Sequence, residues 1–237
     1  MVKEDKSLMQ RSSSAEIAEF LDKAKEMTRS TAGSGRKGRL IFALDATASR
    51  QPTWDSACQL QGEMFEAARQ VGNLQVQLCF YRGFKDSRYS KWLSNPSQLH
   101  RAMSNVFCAG GLTQIARVLR HTLQEHQENA VSALVFVGDC VEEPPDLLCD
   151  LAGQLGLSGV PVFLFQEGYD PDAEPVFREL TRLSGGAWCR FDHQSAEQLR
   201  ELLAAVAIYA AGGQTALQDF SQKRPALAPL VKQLTAK

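Results

Sequence analysis

Short apolar runs recur through the middle of the chain, separated by amphipathic stretches. Leu40–Leu44, Val76–Phe80, Val131–Val137 and Val160–Phe165 are such runs, and Trp188–Phe191 is a weaker one. Their lengths fit strands covered on both faces. Between them, stretches near 53–71, 97–106, 114–128, 145–157, 173–184 and 195–211 repeat apolar side chains at helical spacing. Strands alternating with helices predict a doubly wound α/β fold, a mostly parallel sheet with helices on both faces. Residues 87–93 follow the second run closely and alternate in type, which predicts an antiparallel edge strand blunted by Arg88 and Lys91.

The two ends read differently. Ser12-Ser13-Ser14 and Glu16 precede Ile17, Phe20, Leu21 and Met27, the pattern of a capped amphipathic helix over about 14–29. Its apolar face is expected to dock on the domain or on a partner. Ser30 to Arg39 is a glycine-rich basic stretch. It lacks the Gly-Lys-Ser/Thr ending of a phosphate loop and comes before a strand, so it reads as a linker. The expected organisation is a helix and linker at 1–39, an α/β domain at 40–211, and a polar basic tail at 212–237.

Charge follows the same division. The formal net charge is only -1, but residues 1–39 carry 9 basic and 6 acidic side chains and residues 212–237 carry 4 and 1, leaving -7 on the span 40–211. An acidic centre does not call for nucleic acid, and RNA binding would rest on the flanks alone. The charged opening has no apolar signal core, and Leu202 to Ala211 is about half of the ~20 residues that cross a bilayer. A cytoplasmic protein that does not enter a membrane is expected. The 6 cysteines are scattered, with no Cys-x-x-Cys pair, and are expected to be free thiols.

In open parallel sheets, ligands sit beyond the carboxyl ends of the strands. After the first run comes Asp45-Ala-Thr47-Ala-Ser49, whose oxygen side chains recur at every second residue. After the run ending at Val137 comes Gly138-Asp139-Cys140, and Gly110-Gly111-Leu112-Thr113 leads into the helix near 114. Two carboxylates and three hydroxyls form a hard-oxygen set suited to Mg²⁺, Mn²⁺ or Ca²⁺. Brought together, Asp45 and Asp139 would repel unless a cation or proton lay between them. Each piece also has a plainer role: Asp45 as a cap, Thr113 as an N-cap, Asp139 as a turn residue.

Asp45-x-Thr47-x-Ser49, the Gly110-Gly111 pair with Thr113, and the strand ending Gly138-Asp139 together resemble the von Willebrand factor A domain with its metal-ion-dependent adhesion site. The resemblance spans about 38–211 and is nearest to uncharacterised intracellular bacterial proteins of that family. It implies a six-stranded sheet in the order 3-2-1-4-5-6 with one antiparallel edge strand. It also implies a divalent cation, Mg²⁺ foremost, held by Ser49, Thr47 and Thr113 with Asp45 and Asp139. A protein partner's Asp or Glu would complete the shell, without catalysis. The sequence departs from the usual family pattern by placing Leu112 before Thr113 and by reading Gly-Asp-Cys in place of Thr-Asp-Gly.

Trp54, Arg82 and Phe84 follow the first two strands and are expected on the rim around this site, with Glu142. Trp54 could equally pack a helix on the sheet, and Glu142-Glu143 could be a solvated loop. The competing enzyme reading is a phosphatase-like phosphoryl transfer with Asp45 as nucleophile. It is weakened because position 47 is Thr where Asp-x-Asp is wanted.

Overall fold

The computed structural model describes residues 38–53, 74–191, 204–208 and 210. The helix expected at 14–29, the tail, Trp54 and most of the stretches at 53–71 and 195–211 therefore lie outside the described residues. Six strands form one sheet in the order β3-β2-β1-β4-β5-β6. They are β1 (Gly38–Asp45), β2 (Leu74–Arg82), β3 (Asp86–Tyr89), β4 (Ala133–Gly138), β5 (Val162–Glu167) and β6 (Ala187–Phe191). All neighbours are parallel except β2 and β3. Four α-helices are complete among the described residues: α1 (Pro96–Ser104), α2 (Ile115–Glu128), α3 (Pro145–Leu157) and α4 (Ala173–Ser184).

β1 is buried along its whole length. Its even positions, Leu40, Phe42 and Leu44, join a core with Leu99 and Met103 of α1 and with Val206 and Ile208. Its odd positions, Ile41 and Ala43, face the core made with α2, α3 and α4. This is the period of two that puts successive side chains on opposite faces, each covered by helices.

The strand boundaries shift for reasons of hydrogen bonding. Gly38 and Arg39, read from sequence as the end of a linker, open β1. Val131 and Val160, expected to begin strands, are buried but stand outside the ladder. Their amides donate to His126 Nδ1 and to the Leu155 carbonyl, closing the ends of α2 and α3. β3 is shorter than expected because Ser90 Oγ accepts from the Leu78 amide in place of a backbone carbonyl, and pairing along the edge resumes at the Val76–Leu93 bridge.

A polar hub fixes α2 against the sheet. The Glu125 carboxylate accepts from Arg39 (2.9 Å), Trp92 Nε1 (2.9 Å) and Gln77 Nε2 (3.1 Å). Burial would raise its pKa, but the bonds from Trp92 and Gln77 and the charges of His121 and Arg39 outweigh that and hold it below the usual carboxylate range. A depressed acid stabilises the fold above its unfolded pKa, and the contribution is lost as pH falls through the folded value. Glu125→Gln should therefore destabilise by about 2–4 kcal/mol, since Arg39 is left buried without its anion. Urea unfolding should show this deficit at neutral pH and a smaller one in acid.

Candidate metal centre

The strand order reverses between β1 and β4, and there the two parallel strands end side by side. Their register pairs Leu44 with Val137, so Asp45 falls beside Gly138 and Asp139 just beyond. Gly138 makes room for the Phe136 ring, which a Cβ there would meet at 2.8 Å, while Asp45 Cβ would lie at an ordinary contact distance of 3.6 Å.

Asp45 has no exposed surface. One carboxylate oxygen accepts from the Thr47 amide (2.7 Å), and the other from the Tyr81 hydroxyl (2.8 Å). Tyr81, one residue before the end of β2, lies directly opposite Asp45 in the ladder. Burial is the main cause raising the pKa of Asp45, and Asp139 adds to it, while the Thr47 and Tyr81 bonds oppose it. The plainer reading of Asp45 as a cap is thus half right, since it braces the turn into the 3-10 helix at Ala48–Thr53. Thr47 Oγ1 and Ser49 Oγ lie 3.1 Å apart on that turn.

Ligand atoms of Asp45, Asp139 and Cys140 lie within 4.8 Å of one another. Asp139 Oδ1 is buried and has no hydrogen-bond partner among the described residues. An orphaned, buried carboxylate oxygen beside a second buried carboxylate is a strong demand for a cation. The donor set fits a divalent ion in this respect.

Thr113 is buried and clasped to the loop after β4. Its amide donates to Glu142 Oε2 (2.8 Å), and its hydroxyl accepts from the Glu142 amide (3.0 Å). Thr113 does not cap its own helix. The N-cap is Gln114, which makes no side-chain cap bond. Instead Glu143 reaches across to accept from the amides of Ile115 and Ala116 (2.9 Å for the latter). The Thr113 hydroxyl retains a lone pair and its proton for a further contact. Its loop is held by close backbone packing, for a Cβ on Gly111 would sit 2.0 Å from the Gly83 carbonyl oxygen. Gln114 adds bonds to the carbonyls of Arg82 (3.3 Å) and Gly83 (3.2 Å).

The rim residues divide. Arg82 is largely covered: it stacks on the Phe107 ring at 3.9 Å, bonds the Phe107 carbonyl and pairs with Asp86. Glu142 is engaged with Thr113. Phe84 is 83% exposed, and it is joined by Phe107 (62%) and Leu112 (52%), which the sequence reading did not select. Arg50, in the segment expected near the rim, is instead fully buried and paired with Glu167 at the end of β5. Tyr81 and Cys140 were missed as well. Tyr81 could have been found by aligning strand ends, because it lies where β2 finishes beside β1.

Solved structures with this architecture include a von Willebrand factor type A protein from Catenulispora acidiphila, 15% identical with TM-score 0.60, covering 73% of this chain and 43% of that one. The SpRpn10 VWA domain is 12% identical with TM-score 0.56, covering 74% and 96%. The pilus adhesin SpaC from Lactobacillus rhamnosus GG is 10% identical with TM-score 0.58, covering 79% and 31%. The chain thus spans less than half the length of the Catenulispora protein and of SpaC. No protein-family model and no curated protein sequence matches it. The fold is that of the von Willebrand factor A domain.

The acid pair has a measurable signature. Because the folded pKa of Asp45 is raised, its contribution to metal-free stability is full below the unfolded value and lost as pH rises through the folded one. In EDTA at neutral pH, Asp139→Asn should therefore melt higher than wild type, by about 1–3 kcal/mol of relieved repulsion. Added Mg²⁺ should stabilise wild type and leave the variant nearly unmoved. Thermal melts of both proteins, with EDTA and with Mg²⁺, check the reversal.

Proposed function

We propose that the protein is a non-catalytic, metal-dependent interaction module that binds a partner's Asp or Glu through a divalent cation. The observation that carries this reading is the buried, partnerless Asp139 Oδ1 beside Asp45. Asp45 and Asp139, with the hydroxyls of Thr47, Ser49 and Thr113, would hold the ion, Mg²⁺ in the first instance. When bound, the ion neutralises the acid pair and offers a positive centre to an anionic oxygen. Neutral hydroxyl ligands leave more of that charge for the partner. The likeness of fold to a pilus adhesin is in keeping with binding as the task.

Phe84, Phe107 and Leu112 would surround the charged contact with apolar surface. They are linked to the site through the chain itself: Gly83 packs on Gly111, and the Gly83 amide donates to the Ala109 carbonyl. Such residues exclude water from a central contact and supply selectivity that one carboxylate lacks. The phosphoryl-transfer reading is weaker, because it wants a second carboxylate two residues after the nucleophile and position 47 is Thr.

The test uses a peptide array in which every Asp and Glu peptide has an Asn or Gln counterpart, probed in Mg²⁺ and in EDTA. Acidic peptides should be retained in Mg²⁺ alone, and Thr113→Ala should lower Mg²⁺ affinity by at least about tenfold. Phe84→Ala should weaken peptide binding about tenfold while leaving Mg²⁺ affinity, read by calorimetry, unchanged. Equal retention in EDTA, or equal retention of the amide counterparts, would overturn the reading.

A further inference from the structure

We propose that Cys140 Sγ is a direct ligand of the bound cation, so that the centre is a mixed oxygen and sulfur site that prefers Zn²⁺ or Co²⁺ to Mg²⁺. The proposal rests on the reading of Asp45 and Asp139 as a metal centre and changes the class of ion it takes. Three donors converge: the Asp45 and Asp139 carboxylates and the Cys140 thiol lie within 4.8 Å of one another. Tetrahedral zinc holds an oxygen at about 2.0 Å and a sulfur at about 2.3 Å, roughly 3.5 Å from each other, so one ion takes this cluster after its donors close by about an ångström. The partnerless Asp139 Oδ1 is the independent sign that a group is wanted between them.

Without a metal the thiol lies against the Asp139 carboxylate, to which it donates a hydrogen bond. Its charged neighbours are Asp139, Asp45 and Glu142, all anionic. Reactive cysteines sit in electropositive settings, which stabilise the thiolate. Here only a cation at the cluster supplies that. Nor is Cys140 a buried filler, since it is half-buried at the mouth of the site. On binding, the Cys140 Sγ–metal bond forms and the thiol proton leaves to solvent. Thiolate sulfur favours zinc and cobalt, whereas Mg²⁺ and Ca²⁺ take oxygen. With three anionic ligands around a dication, a partner carboxylate is held less strongly than on an all-oxygen centre. Cys140 therefore makes partner binding depend on which metal is loaded.

Cobalt reads the sulfur directly. The full chain titrated with Co²⁺ should develop a thiolate-to-cobalt charge-transfer band in the near ultraviolet. The band should be absent in Cys140→Ser, which should bind Zn²⁺ at least about tenfold more weakly by calorimetry. Cys108→Ser should keep the band; this thiol also feels Asp45 and Asp139, and its pKa is pushed up to about 11, chiefly by burial. A measurement on wild type alone stands beside these: Zn²⁺ should protect Cys140 from alkylation, as read by mass spectrometry. Co²⁺ bound without the band, or Cys140 alkylated equally with Zn²⁺ present, overturns the proposal and leaves the oxygen site standing. No difference in metal binding between wild type and an Asp45→Ala/Asp139→Ala variant overturns both readings.

Discussion

Two carboxylates held together at the point where strand order reverses are the constraint on which the rest of the site turns. Folding buries Asp45 completely and brings Asp139 against it, an arrangement that electrostatics alone would refuse. The sheet enforces it through the register of β1 on β4. Hydrophobic burial on both faces of β1 supplies the compensating free energy. The conflict is local, and the stabilisation is spread through the core.

The neighbouring acids are disposed so as not to enter this conflict. Glu143 takes the first amides of α2, Glu142 takes the Thr113 amide, and Glu167 pairs with Arg50. Each gains positive charge or N–H donors from a different element. A helix N-terminus favours a carboxylate whichever loop supplies it, and here the supplier is the loop after β4. That exchange couples the two halves of the site. Thr113 and Asp139 come from separate crossovers, yet the Glu142 clasp joins their loops by two hydrogen bonds.

The fold was legible because each strand is a short apolar run and each helix has its own stripe, so local patterns agree with the global one. The sheet order came from the resemblance carried by Asp45, Thr47, Ser49, Thr113 and Asp139, and the observed order is the one it implied. The boundaries were less legible. Val131 and Val160 look like strand residues and are buried like them, but their amides close helices, a role that hydrophobicity does not encode. The roles of Glu142, Glu143 and Arg50 were hidden for a similar reason. Each depends on a contact between distant loops, and a charged residue beside Pro144-Pro145 reads as solvated until its partner is known.

Cys140 shows how far a residue's type can mislead when its place is unknown. Scattered cysteines in a chain without paired motifs read as small hydrophobes, and the fully buried Cys79 and Cys189 behave so. Cys140 differs only in following Asp139 immediately, where the chain leaves the sheet and consecutive side chains need not alternate between faces. That departure from strand geometry turns its sulfur toward Asp45 as well as Asp139. The hard-oxygen set was read from the types of Asp45, Thr47, Ser49, Thr113 and Asp139, and Cys140 was left out of it. Past the last ladder bond the periodicity has no force, and the loop's own geometry decides which atoms face the ion.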